Sequence, residues 1–257
     1  MSGHERPFWL RPKWVVGHVL IVVLVILAIN LGFWQLRRLD ERQVFNAEVA
    51  ARTEVAPVPI GQLVDPDDGV EVGSEVRFRR ATAEGVYDPE QEVLIRSRSL
   101  DDRPGHWLVT PLALDDGTAV AVNRGFVPFT SEPAIAFAAA PPPTGRVVVT
   151  GLVLASQERQ GIGPTDPAEG RLDALVRVDL GRLAQQHDGS DLLPVYLQLE
   201  TQDPPQEGRL PVPLPPPEQG EGSHLAYAGQ WFLFAAVGAI GWPVLLRRTA
   251  QEERPRR

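Results

Sequence analysis

The side chains able to bind a metal or move a proton are few in this chain. It has no cysteine, and its single methionine is Met1. That excludes disulfides, CxxCH haem attachment, iron–sulfur clusters and thiolate zinc sites, and it removes the soft ligands a Cu(I) carrier needs. Metal chemistry must rest on five histidines and the carboxylates. One histidine stands in a patterned setting. In "SHLAYAGQWFLF" (residues 223–234) and the residues that follow, His224, Tyr227, Ala228, Trp231, Ala235 and Gly238 recur at i, i+3, i+4, i+7, i+11 and i+14. On a helix this is one continuous stripe. It offers an imidazole able to coordinate a metal, two aromatic rings, and small residues that let a second helix or a flat macrocycle approach closely. The same residues also describe an interfacial belt, with Tyr and Trp anchoring a helix and His facing lipid headgroups.

Two apolar runs position these residues. Trp14 to Leu36 and Leu225 to Leu246 each carry no formal charge, and at about 1.5 Å per residue each can cross a hydrocarbon core of roughly 30 Å. The first run passes directly into "RRLDER" without a small-residue cleavage site, so it reads as an uncleaved span. Arg6, Arg11 and Lys13 precede it, and Arg247, Arg248, Arg254, Arg256 and Arg257 follow the second, which puts both termini in the cytoplasm. Between them, residues 37–224 hold 17 Arg against 30 Asp and Glu, a net of 17 − 30 = −13. That region belongs outside, and its acidity leaves no footprint for nucleic acid. The expected localisation is the cell membrane, with two passes and lipid as a partner.

Between the spans, short alternating runs at 75–87, 92–99, 106–114, 118–127, 145–154, 174–180 and 194–200 are separated by "YDPEQ", "LDDGT", "APPPTG" and "HDGSD". Their spacing predicts a barrel or closed meander. "GRLAQQHDG" predicts one short helix, and proline-rich 201–222 an extended strap. The fold class is therefore a membrane protein with two transmembrane helices flanking an extracytoplasmic, mainly β, barrel-like α+β domain. Its divisions are a cytoplasmic N-terminus (1–13), a first span (14–36), a β-rich domain (37–200), a strap (201–223), a second span (224–246) and a basic tail (247–257). No GxSxG, HExxH or phosphate loop is present, so the chain reads as no enzyme.

Four stretches, "LGFWQLRRLDER", "GVYDPEQEVLIRSRS", "WLVTPLALDDGTAVAVNRGFVP" and "HLAYAGQWFLFA", resemble in order and spacing the SURF1 family (Surfeit locus protein 1, Shy1 in yeast), over about Trp14 to Arg248. Two positions depart from the pattern: Phe126, where members commonly have Trp, and Arg42, where Lys is expected. Neither removes a possible iron ligand. The resemblance implies an assembly factor for haem–copper cytochrome c oxidase. Its partners would be the oxidase core subunit and the haem a synthesis machinery, its cofactor a transiently held haem a, and His224 the proposed iron ligand. The alternative is a membrane-anchored scaffold that stabilises an oxidase assembly intermediate and binds no cofactor.

With haem a in view, Tyr227 and Trp231 become candidate cofactor contacts beside His224. The first span offers a partner face in Asn30, Trp34 and Arg37, with Asn30 expected to turn towards the second helix because buried Asn is costly in lipid. Trp34, Arg37 and Arg38 complete the candidate set, the arginines standing where haem propionates emerge; the plain alternative is that they anchor the span end. His18 lies on the order of 20 Å or more from His224 along the bilayer normal, so the two cannot share an iron. A second ligand would come from His106, expected at the surface, from His187, expected at a helix end, from another subunit, or from nowhere. In "VNRGF", Gly125 signals a bulge or close backbone approach, with Arg124 directed to a carboxylate such as Asp115 or to a partner.

Overall fold

Two helices and one sheet account for nearly all the regular structure. The computed structural model describes residues 7–252 except 70, 131, 158, 160, 162 and 188–190. It divides into a helical unit within Met1–Glu48 and Gln219–Arg257 and a sheet unit, Val49–Glu218.

Helix α1 (Pro12–Thr53) begins on a proline, whose fixed φ suits the first helical position and whose missing N–H is needed by no intrahelical bond there. Arg52 sits in its last turn, where a cation complements the negative end of the helix dipole. Pro57 then disfavours helical backbone at Ala56. The second long helix, which takes the label α5 below, spans His224–Glu252. Both are long and apolar enough to cross a membrane. Only 11% and 6% of their most apolar stretches are buried.

In the sheet unit, β1 (Val58–Pro59), α2 (Val72–Glu75), β2 (Arg80–Tyr87), β3 (Val93–Leu100), β4 (Arg103–Leu114), β5 (Thr118–Pro128), α3 (Pro133–Ala139), β6 (Arg146–Ala155), β7 (Ala174–Leu175), α4 (Leu180–Gln186) and β8 (Asp191–Asp203) follow in chain order. The sheet order is β1-β2-β6-β8-β5-β4-β3-β7, and β2 also pairs with β4. The pairings β2–β6–β8–β5–β4–β2 therefore run in a closed circuit. Val120, Val122, Val147, Val149, Val153, Val195 and Leu197, all fully buried, form the main core. Their alternation along β5, β6 and β8 is the period-2 signal visible in the sequence.

Three details differ from expectation. The run 174–180 is a strand only at Ala174–Leu175, because side chains take the next backbone donors: Val176 N–H donates to Asp166 (2.8 Å) and Val178 N–H to Gln157 (3.2 Å). The strand β8 runs on to Asp203, into the segment expected to be strap. Helix α3 is additional. Pro133 at its first turn and the alanines behind it are helix signals that the flanking "PPP" obscures.

Candidate functional site

The helical unit is built on two facing seven-residue patterns. On α1, Trp14, His18, Ile21, Val25, Ala28, Gly32 and Gln35 recur at alternating steps of four and three. On α5, His224, Ala228, Trp231, Ala235, Gly238 and Trp242 do the same. Such a repeat keeps one face towards a partner helix. Ala28, Ala228 and Ala235 are buried. A Cβ on Gly32 would lie 2.7 Å from Phe232, one on Gly238 2.9 Å from Val25, and one on Gly17 2.7 Å from Trp242. The small residues of the α5 stripe thus pack on α1.

Polar bonds fasten both ends of this seam. His224 Nδ1 lies 2.8 Å from Gln35 Oε1, and Trp242 Nε1 donates to His18 Nδ1 at 2.7 Å. Gln35 and His18 are 17 residues apart, about 26 Å along the axis, so the two histidines serve opposite ends. At the His224 end, an amide oxygen only accepts, so the hydrogen sits on Nδ1, and Nε2 is the nitrogen that carries the lone pair in the neutral ring. Gly222, at φ +67°, lies beside the ring, and a Cβ there would sit 3.5 Å from Nε2, in ordinary contact. The backbone at Gly222 is one that other residues rarely adopt.

The remaining candidates surround this pair unevenly. Tyr227 is 50% exposed and Trp34 45%. Arg37 and Arg38 are exposed; Arg38 pairs with Glu41 at 2.8 Å and lies 5.9 Å from the Trp34 ring. Trp231 stands edge-on to Phe234 with ring centres 5.8 Å apart. Both border an apolar groove of about 320 Å³ whose other wall is Ile21, Leu24, Val25 and Ala28 of α1. Asn30 does not face α5. Its side chain is exposed and donates to its own helix at Ile26 O (2.8 Å), so the amide is satisfied locally and needs no partner.

Comparison with known proteins fixes the family. The sequence profile of the SURF1 family matches residues 22–236. The chain belongs to the SURF1 family. It is 28% identical over 243 residues to an uncharacterized SURF1-like protein of Mycobacterium tuberculosis, covering 91% of this chain and 83% of that protein. It is 26% identical to Surfeit locus protein 1 of Rattus norvegicus, covering 86% and 73%. A shorter match, 28% over 127 residues, joins 49% of this chain to 31% of the Saccharomyces cerevisiae cytochrome oxidase assembly protein SHY1. The SURF1 match runs from within α1 into α5, and so includes both Gln35 and His224.

Elsewhere the structure refines one side-chain expectation and corrects another. Arg124 reaches a carboxylate, as expected, but it is Glu92 and not Asp115. Its guanidinium is buried and donates to Glu92 (3.0 Å), Ala140 O (3.0 Å) and Gln206 (2.6 Å), while Thr110 donates to the same Glu92 carboxylate at 2.5 Å. Asp115 is held by Arg146 instead. Burial raises the Glu92 pKa and lowers that of Arg124, outweighing their mutual attraction. His106 is not at the surface. It is 7% exposed on β4, 5.5 Å from the Phe129 ring, and burial lowers its pKa. His187 follows α4 as its C-cap. Among the described residues, no group of three or more His, Asp or Glu side chains could hold a metal ion.

The residue that sequence reasoning passed over is Gln35. Its signal was its place in the heptad, seven after Ala28 and three after Gly32, on the face of small residues rather than on the Asn30, Trp34 and Arg37 face.

Proposed function

We propose that this protein is a membrane-anchored assembly factor for haem–copper cytochrome c oxidase, and that it holds haem a transiently through His224 before the oxidase core subunit takes it. The name carried by its yeast relative, a cytochrome oxidase assembly protein, supports the assembly role. The carrying observation for the haem step is the His224–Gln35 pair. Gln35 fixes the Nδ1–H tautomer, which leaves Nε2 as the free donor and restricts ring rotation.

Haem a supplies an iron that binds imidazole and two propionates that pair with cations. Arg37 and Arg38, exposed within three residues of Gln35, are the cations for the propionates. Tyr227 and Trp34 offer exposed aromatic faces at the same end, and the apolar groove beside Trp231 suits the hydrocarbon substituent. One protein ligand suits a carrier, because one bond is readily surrendered to an acceptor. The protein is a carrier and not an enzyme in this reading, and the haem a synthesis machinery is the donor.

The two helices cross the cell membrane, both termini cytoplasmic and the sheet domain outside, because arginines flank the ends and the central region is acidic. Exposed Leu, Ile and Val side chains along α1 and α5 are then covered by lipid. The closed circuit of strand pairings supports a barrel-like domain.

The test is a reduced-minus-oxidised optical spectrum of detergent-purified protein from cells that make haem a, beside His224→Ala. A haem a band lost in the variant supports the carrier. Equally colourless proteins from haem-replete cells leave the cofactor-free scaffold as the better account.

A further inference from the structure

The sheet unit contains a half-open pocket of about 710 Å³ that the oxidase role does not use. Arg77, Arg98 and Arg177 line it, with Glu71, Gln157 and Tyr196. Three guanidinium groups and one carboxylate give a formal lining charge of 3 − 1 = +2. The surrounding unit is strongly acidic, since Val49–Glu218 holds 14 arginines against 26 acidic residues. Concentrating cations here costs Coulomb energy unless something offsets it.

Two of these cations are held rigidly without being neutralised. Arg98 is half-buried, its guanidinium 4.6 Å from the Trp107 ring centre. Its Nη2 donates to Gln157 Oε1 at 3.3 Å and to Val176 O at 3.2 Å. Arg177 Nη2 donates to Pro164 O at 2.8 Å. All of these acceptors are uncharged, and among the described residues neither arginine forms an ion pair with a carboxylate. Gln157 in turn donates to the Tyr196 hydroxyl at 3.2 Å, which ties the segment after β6 to β8. Burial and the nearby Arg177 charge both lower the Arg98 pKa, so the two guanidinium groups repel each other in the unliganded pocket. Preorganised, uncompensated guanidinium donors match a tetrahedral oxyanion, which accepts several forked hydrogen bonds at once.

We propose that this pocket binds the phosphate group of an anionic ligand, with Arg98 and Arg177 as fixed donors and Arg77 as a third cation in the lining. A phosphate dianion matches the lining charge. The volume lies in the range of small-molecule sites, so the phosphate carries a further moiety. Its source is either a soluble phosphate ester or the headgroup of a phospholipid.

The experiment is calorimetric titration of the full chain in an uncharged detergent, at ionic strength matched with sodium chloride. One arm titrates inorganic diphosphate and glycerol 3-phosphate; the other titrates mixed micelles containing phosphatidic acid or, as control, phosphatidylcholine. Saturable binding is expected, weakened at least tenfold in the doubled variant Arg77→Gln/Arg177→Gln, with its unliganded thermal midpoint within a few degrees of the parent. Arg77→Gln alone, at an exposed position, gives a weaker loss. Response to glycerol 3-phosphate identifies a soluble ligand, and response only to phosphatidic acid micelles identifies a headgroup. No saturable heat with any phosphate probe, or binding that persists in the doubled variant, overturns the proposal. The haem a spectrum is unaffected in every case, so this result and the carrier reading fail independently.

Discussion

His224 Nδ1 and Gln35 Oε1, 189 positions apart in sequence, stand 2.8 Å apart across two helices. The contact does two things at once: it joins the first residue of α5 to the middle of α1, and it puts a hydrogen on the imidazole Nδ1. Partners of this kind, behind a ligating histidine, change metal affinity by about 10- to 100-fold when removed. Gln35→Leu is therefore expected to weaken haem a retention by about that factor, whereas His224→Ala abolishes it. Titrating each purified variant with haem a and following the absorbance shift distinguishes the two. Equal affinity of Gln35→Leu and the parent would remove Gln35 from the site.

The Arg124–Glu92 pair makes a different kind of prediction. Both side chains are almost fully buried, 0% and 2% exposed, and each gave up its hydration to get there. Removing one leaves the other as an unpaired buried charge, which costs about 3–5 kcal/mol. Arg124→Met should lower the urea stability of the sheet unit by that amount. The double change Arg124→Met with Glu92→Leu should recover most of it, because no charge is then stranded. A double variant as unstable as the single one would show that the arginine acts through its bonds to Ala140 and Gln206 rather than through Glu92.

Much of the architecture was legible because it rests on period and composition. The apolar runs and the alternation in β2, β5 and β6 announce their own elements, and Gly125 announced a close approach that the structure bears out. Contact identity was less legible. Asn30 looked costly in a span, yet its amide bonds the carbonyl four residues earlier, a solution invisible in spacing alone. The partner of Arg124 lies 32 residues away, immediately before β3, and only strand pairing brings Glu92 there. Gln35 and His18 could have been found by reading the heptad through Val25, Ala28 and Gly32 instead of the most polar face. The three arginines of the pocket could not, since they come from separate elements with no common period.

His106 gives a prediction in pH. Its folded pKa is pushed below the ordinary 6.5 chiefly by burial, so the folded state favours neutral imidazole. As pH falls below 6.5 the unfolded chain takes up the proton first, and stability is lost as pH passes through the folded value. The contribution is fully present above 6.5. Comparing urea midpoints from pH 8 to 5 should give a steeper decline for the parent than for His106→Gln over the acidic part of that range. Parallel curves would mean that the imidazole titrates alike in both states.

The last prediction concerns the segment that leads back from the sheet to α5. Phe126 and Val212 exchange two backbone hydrogen bonds, each 2.8 Å, and this pairing holds the proline-rich segment on β5. It depends on Gly125, whose φ of +138° is strained for any other residue, and where a Cβ would run into the Val212 carbonyl. Gly125→Ala meets both penalties. The expected cost is about 1–3 kcal/mol for the backbone strain, and the natural relief is for Val212 to move off the strand. Exposed Arg209, three residues before Val212, should then become a faster tryptic site. The control is Gly220→Ala, where an added Cβ meets nothing within 4 Å. Cleavage after Arg209 that is accelerated in Gly125→Ala and unchanged in Gly220→Ala would assign the anchoring of the segment to the one place where β5 lacks a side chain. Equal rates in all three proteins would put its anchor elsewhere, at the Gln206 contact with Arg124.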